Sequence, residues 1–355
     1  MKLITLEGMI NMESVRVKID NIYIEVDYRT ELLGVIMWIS NYHEKYKQLF
    51  NKCGNEFYVN DILKHFSKYK NHKLIKKFEA LVEKHSFNYD APLDLFLQLD
   101  SNLNTNKLTD YCYLDRLQGD EKIFDFINEL NTFSNEIDFY EFYNSHRTLY
   151  AKWINGMSYA FKKYNLSNYF FKYYGYNLNK KLIVNLIPFM TNGGFYCSND
   201  NEVYDCFPVF EGMQAETLFD STNHEKITLF NPFHEFSHAY INPITDKLKI
   251  LTKDTNFFDD IRESMKRQAY PYDTHIINEH IVRALEIRYI INVYGDYKWA
   301  QELIEDEKEN SFIYIEPIVN SLCQYERQRN IYKRIDDFYP IIIKKIKEYK
   351  NTKLA

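Results

Sequence analysis

The stretch Asn231-Pro-Phe-His-Glu-Phe-Ser-His-Ala-Tyr-Ile-Asn-Pro243 restricts this chain more than any other. Asn231 suits an N-cap, because its side-chain oxygen can accept from a free amide of a first helical turn. Pro232 suits the first helical position, where no amide hydrogen is needed. Pro243 biases Asn242 away from helix. A short helix is therefore expected over 231–243, and any fold must accommodate what it presents. His234 and His238 stand one turn apart on one face, with Glu235 beside them.

That arrangement suits zinc. Two neutral imidazoles hold the ion, a third protein ligand completes the set, and the fourth position is left for water, whose pKa the metal lowers. Glu235 can reach that water without being a ligand, so its expected role is general base. Phe233, Phe236 and Tyr240 are available to pack the helix into a core. A nearby decoy, His224-Glu225, has Thr228 where the second histidine would have to be. The bland reading of the same residues is a core helix with two hydrogen-bonded histidines.

The third ligand decides the subclass. A metzincin requires Gly and His three and six residues past the second histidine, and Ile241 and Ile244 stand there. The best candidate lies further on, in the strongly helical stretch Thr274 to Glu286. It is apolar nearly all round, and Glu279, Arg283 and Glu286 form one polar stripe on it. A buried carboxylate needs a partner, and a metal can supply one. Glu263, His275, His280 and Glu286 stay open as alternatives to Glu279.

The His-Glu-x-x-His motif followed by a helix bearing Asn278-Glu279 resembles the gluzincins, the thermolysin-like zinc peptidases. More closely, Phe233 to Pro243 together with Asn278-Glu-His-Ile-Val-Arg-Ala284 resembles a bacterial family regarded as metallopeptidases and known mainly as a domain of unknown function. That likeness extends to Val26-Asp-Tyr-Arg-Thr-Glu-Leu-Leu33. The gluzincin resemblance implies Zn2+ held by His234, His238 and Glu279. It also implies Glu235 as base, Tyr270 as a donor to the developing oxyanion with Tyr272 and Tyr289 as rivals, and a peptide or protein substrate. It further implies substrate held along an edge strand upstream of the zinc helix, which makes Asn192, Gly193 and Gly194 candidate contacts; the alternative there is a plain hairpin turn. Two departures stand out. The gap of 41 residues from His238 to Glu279 is long, and Arg283 occupies the place where thermolysin-like enzymes have an aspartate supporting a histidine. Arg283, with Asn278, is therefore expected to support the ligands, orienting Glu279 or pairing with Glu286.

The rest of the chain frames this site. With 355 residues, 45% of them hydrophobic and few Gly or Pro, a large core can be buried. A net charge of −6 argues against nucleic acid as the main partner. Five scattered cysteines suggest neither a disulfide framework nor a cysteine metal site, and suit a reducing compartment. The first twelve residues lack the pattern of a secretory signal, and the longest apolar run, Leu32 to Ile39, is too short to span a bilayer. A cytoplasmic protein without membrane contact is expected; oligomeric state has no signature. Alternation over 15–19 and 22–26 around Asp20-Asn21 predicts a hairpin. Helical patterning runs from 30 to about 175, including 59–69, 73–86, 91–100, 107–117, 120–131 and 135–166. Strands are expected at 182–189, 194–198, 203–210 and 226–230, and helices follow at 256–268, 274–294, 297–306, 312–325 and 330–349. The aromatic stretch Tyr159 to Tyr176 reads as core, or as a groove for peptide or sugar.

The expectation is thus an α+β protein, mostly helical, with a small mixed sheet packed on the zinc helix as in a thermolysin-like catalytic core. Residues 1–175 would form a hairpin and helical region and 176–355 the catalytic region, with a joint near Tyr174-Gly175-Tyr176-Asn177. Two other readings are a metal-binding, catalytically silent interaction protein and a structural helical protein with a chance motif.

Overall fold

The computed structural model describes residues 14–50, 55–105, 108, 121–190, 194–210, 213, 222–248 and 257–354. The chain is mostly helical with one small mixed sheet. It divides into two compact units: residues 1–160 with 180–225, and residues 161–179 with 226–355. The expected joint at Tyr174 to Asn177 falls inside the 161–179 segment of the second unit. Among the described residues no helix is long and apolar enough to cross a membrane.

The first unit holds the entire sheet. β1 (Val15–Ile19) and β2 (Ile22–Val26) form the expected hairpin, with Asp20 at φ 51° in the turn, a conformation Asp tolerates because its side chain can bond locally. β3 (Lys181–Ile187), β4 (Phe195–Ser198) and β5 (Glu202–Pro208) complete the order β1-β2-β3-β5-β4. β2 and β5 both pair with β3 in parallel, so β3 is flanked along both edges, and every residue from Leu182 to Ile187 is also buried.

Helix Tyr28–Ile39 starts directly from β2. Asp27 caps it by accepting from the Arg29 amide at 2.7 Å, and the Arg29 guanidinium donates to both oxygens of the same carboxylate at 2.9 and 2.6 Å. Arg29 also donates to the carbonyls of Leu97 and Leu99, at 3.0 and 2.7 Å, fixing the end of helix Ala91–Leu97. The Val26 to Leu33 motif is thus a structural clamp. Gly34 lets the helix approach closely, since a Cβ there would lie 2.5 Å from the Phe189 ring.

The second unit is helical. Helix Thr222–Leu248, the histidine helix, belongs to it from residue 226 onward; helix Asp273–Tyr289, the glutamate helix, ends in a π turn over Ile290–Tyr294. Two expectations are corrected here. The histidine helix runs straight through Pro232 and Pro243, and residues 226–230 are helix rather than strand. Each internal proline forfeits a backbone bond and crowds the carbonyl four residues back. That cost is outweighed by burial of Phe233, Phe236, Tyr240, Ile241 and Ile244. Helix Leu166–Tyr174 supplies much of that packing: Tyr174 stacks on Tyr240 with centroids 3.9 Å apart, and Phe170 stacks on Phe233 at 5.2 Å. Within the aromatic stretch Phe161, Phe170, Tyr173 and Tyr174 are therefore core, whereas Tyr159 and Phe171 are exposed. The helix expected at 107–117 falls outside the described residues, apart from Leu108.

Candidate metal centre

The site is built from two helices locked to each other. Ser237 donates back to the Phe233 carbonyl at 2.6 Å and receives the Tyr174 hydroxyl at 2.6 Å, which fixes the buried face of the histidine helix. Thr245, two turns on, donates to Asn278 Oδ1 of the glutamate helix at 2.5 Å and also bonds the Tyr339 hydroxyl at 2.5 Å. Asn278 thus holds the helices together; its side chain is turned to Thr245.

On the facing surfaces, His234, Glu235 and His238 bring ligand atoms within 4.8 Å of one another, the one such group of three or more among the described residues. The two Nε2 atoms are 3.1 Å apart. Glu279 enters from the other helix, with Oε1 3.2 Å from His238 Nε2 and Oε2 3.8 Å from His234 Nε2. The Nδ1 atoms are engaged elsewhere: that of His234 with Glu286 Oε1 at 3.1 Å, that of His238 with Asn242 Oδ1 at 3.2 Å.

These contacts test whether a metal fits. Both Nδ1 partners are acceptors, so each Nδ1 carries the hydrogen, and in a neutral ring each Nε2 is then a bare lone pair. With both rings neutral, two lone pairs and a carboxylate converge with no donor among them, so the site calls for positive charge, which either a proton on an imidazole or a bound cation supplies. A tetrahedral ion with ligands at about 2.0–2.1 Å separates them by about 3.3 Å, close to the spacings found. The donor set therefore fits a divalent metal.

Titration tells the same story. Burial by itself lowers the pKa of His234, but Glu286, its hydrogen bond, Glu235 and Glu279 outweigh it and push the ring up to about 10. A proton is held where the carboxylates call for positive charge, and metal binding would release it. Burial raises Glu279, yet the His238 hydrogen bond, both imidazoles and Arg283 bring it far below the usual carboxylate range. Burial raises Glu235, an effect that His234 and His238 oppose and that Glu279 and Glu286 reinforce.

Behind Glu279 stands Arg283, its Nε 3.4 Å from Glu279 Oε2, its Nη1 donating to Glu307 at 2.7 Å and its guanidinium 4.4 Å above the Phe312 ring. Tyr270 interacts with both Glu279 and Arg283; burial first, then the Glu279 charge, pushes its phenol up to about 12. Of its rivals, Tyr272 is 64% exposed and edge-on to His275, while Tyr289 is buried in a stack with Phe233. Among the other third-ligand candidates, Glu263 and His275 are exposed, and His280 is buried with Nδ1 2.7 Å from the Ile276 carbonyl, its ring among Phe258, Phe312 and Tyr314. Gly194 is half-buried just ahead of edge strand β4 in the first unit; Asn192 and Gly193 fall outside the described residues.

Sequence reasoning named Asn242 only as the end of the helix, with no part in the site, and left Glu307 and Thr245 unnamed. Asn242 follows His238 by four residues and could have been read from that spacing. Nothing local singles out Glu307 or Thr245.

The chain belongs to the family described as Domain of unknown function (DUF4932), which matches residues 22–345. No curated protein and no solved structure matches it.

Proposed function

We propose that this DUF4932 family member is a zinc-dependent hydrolase of peptide bonds with a gluzincin-like site, acting on a peptide or protein substrate. The observation that carries the proposal is the convergence of His234 Nε2, His238 Nε2 and the Glu279 carboxylate within 3.1 to 3.8 Å, each imidazole held from behind through Nδ1. Two imidazoles and a carboxylate make a set that zinc takes with one position open to substrate and water. When bound, zinc lowers the pKa of water and polarises the scissile carbonyl.

The chain's own groups supply the rest. Glu279 approaches both imidazole Nε2 atoms and is assigned as the third ligand; Glu235, whose carboxylate also lies within 4.8 Å of the imidazole nitrogens, is assigned as the base. Its buried carboxyl has a raised pKa, so it can take a proton from water and return it to the leaving amine. Tyr270 keeps its hydroxyl proton at neutral pH and can donate to negative charge developing on the carbonyl oxygen. Arg283, bonded to Glu307 and paired with Glu279, restrains the third ligand.

The test is metal content by elemental mass spectrometry together with cleavage of a mixed peptide library. About one zinc per chain, chelator-sensitive cleavage, and a loss of roughly 10²- to 10⁴-fold in Glu235→Gln with zinc retained are expected. Wild-type turnover in zinc-loaded Glu235→Gln would refute the base assignment. Bound zinc without any cleavage would favour a metal-binding interaction protein.

A further inference from the structure

Glu279, Arg283 and Glu286 lie at i, i+4 and i+7 on the glutamate helix and so share one face. The two carboxylates of that stripe meet different atoms. Glu279 approaches the Nε2 edge of both imidazoles, whereas Glu286 meets His234 on its opposite edge, with Oε1 3.1 Å from Nδ1. The two ring nitrogens of an imidazole direct their lone pair and hydrogen away from each other. A group bonded at Nδ1 therefore does not share an ion with the Nε2 of the same ring. Glu286 is also only 3% exposed, and an unpaired carboxylate so deeply buried would be costly.

We propose that Glu286 is the positioning residue of the metal centre: through His234 Nδ1 it fixes the tautomer, aims Nε2 at the ion and strengthens that nitrogen as a donor. The proposal rests on the metal-binding part of the function proposed above and not on its peptidase chemistry. It makes the two histidines unequal. His238 is backed by a neutral amide, Asn242 Oδ1 at 3.2 Å, and His234 by a carboxylate that can share its proton and lend charge to the ring. Glu286 should therefore govern metal affinity more strongly than Asn242.

The experiment is competition of Zn2+ and Co2+ against a chromophoric chelator for the wild type, Glu286→Ala, Glu286→Gln, Asn242→Ala and His238→Ala. Cobalt absorption reports the ligand field, and far-ultraviolet circular dichroism of the metal-free proteins checks folding. Glu286→Ala should bind roughly 10- to 100-fold more weakly, the range for a partner behind a metal-bound histidine. Its cobalt bands should shift while keeping the intensity of a four-coordinate site. Glu286→Gln should fall between alanine and wild type, because its amide oxygen still accepts from Nδ1 but carries no charge; if the alanine variant does not fold, the glutamine variant decides. Asn242→Ala should lose less than Glu286→Ala. Affinity in both Glu286 variants within twofold of wild type would overturn the proposal. So would a loss as complete as that of His238→Ala, which would make Glu286 a ligand. A wild type that binds neither ion would instead overturn the metal centre itself.

Discussion

Thr245→Val should destabilise the metal-free protein by about 1–5 kcal/mol, although it exchanges one hydroxyl for one methyl. Thr245 Oγ1 is the junction of three helices: it donates to Asn278 Oδ1 and accepts from the Tyr339 hydroxyl, both at 2.5 Å. Asn278 is 6% and Tyr339 1% exposed, so neither gains water when the hydroxyl goes. Each orphaned polar group costs about 1–3 kcal/mol, giving about 2–6 for the pair, and the added methyl offsets about 1. Thr245→Ser keeps both bonds and should cost only about 1 kcal/mol for the lost methyl. Adding Tyr339→Phe to the valine variant removes one orphan, so the double variant should be less unstable than the two single losses added together. Urea and thermal unfolding of chelator-treated protein measure this; for a unit of this size the valine variant should melt on the order of 10 °C lower. A valine variant as stable as the serine variant would refute the view that this hydroxyl joins the histidine helix to the glutamate helix.

Two further outcomes concern the backbone and the first unit. Gly175 sits at φ 83° at the end of helix Leu166–Tyr174, and a Cβ there would lie 2.0 Å from the Lys333 carbonyl oxygen, whereas Gly295 at φ 66° has nothing within 4 Å. Gly295→Ala should therefore cost only the left-handed strain of about 1–2 kcal/mol, and Gly175→Ala clearly more; equal melting temperatures in the two variants would refute the clash. Glu31, bonded by the Tyr58 hydroxyl, is raised by burial, against the Tyr58 bond and with the Asp27 charge, to about 8 from an ordinary 4.5. Because the folded state holds this proton more tightly than the unfolded one, its contribution is full below about pH 4.5 and is lost as pH rises through 8. Glu25 and Asp94, each raised to about 7 chiefly by burial, add to the decline at lower pH. Urea unfolding between pH 5 and 8 should show stability falling, with Glu31→Gln flattening the slope most between about pH 5 and 7, where the folded carboxyl is protonated and the unfolded one is not; an unchanged slope would refute the assignment.

Much of this site is legible in one dimension. His234, Glu235 and His238 need only helical spacing to share a face, and Glu279, Arg283 and Glu286 stand out as one polar stripe on a helix that is apolar nearly all round. The β1–β2 hairpin is legible for the same reason, since alternation about a two-residue turn is a local property. The ends of the histidine helix are not. Prolines at 232 and 243 argue locally for termini, and the apolar run before them reads equally well as strand or helix. Their outcome depends on what Phe233, Phe236 and Tyr240 find to pack against, and Tyr174 and Phe170 lie more than fifty residues earlier.

The sequence by itself determined the hairpin, the two-histidine motif and the acidic stripe, because each follows from periodicity within a few turns of one element. Only the tertiary structure decided how the chain divides, grouping 161–179 with 226–355 and 180–225 with the N-terminal segment. It alone decided that Glu279 meets both Nε2 atoms while Glu286 takes the Nδ1 of His234. Those choices rest on the packing of distant side chains and on which edge of a ring a carboxylate reaches. Neither leaves a periodic trace along the chain.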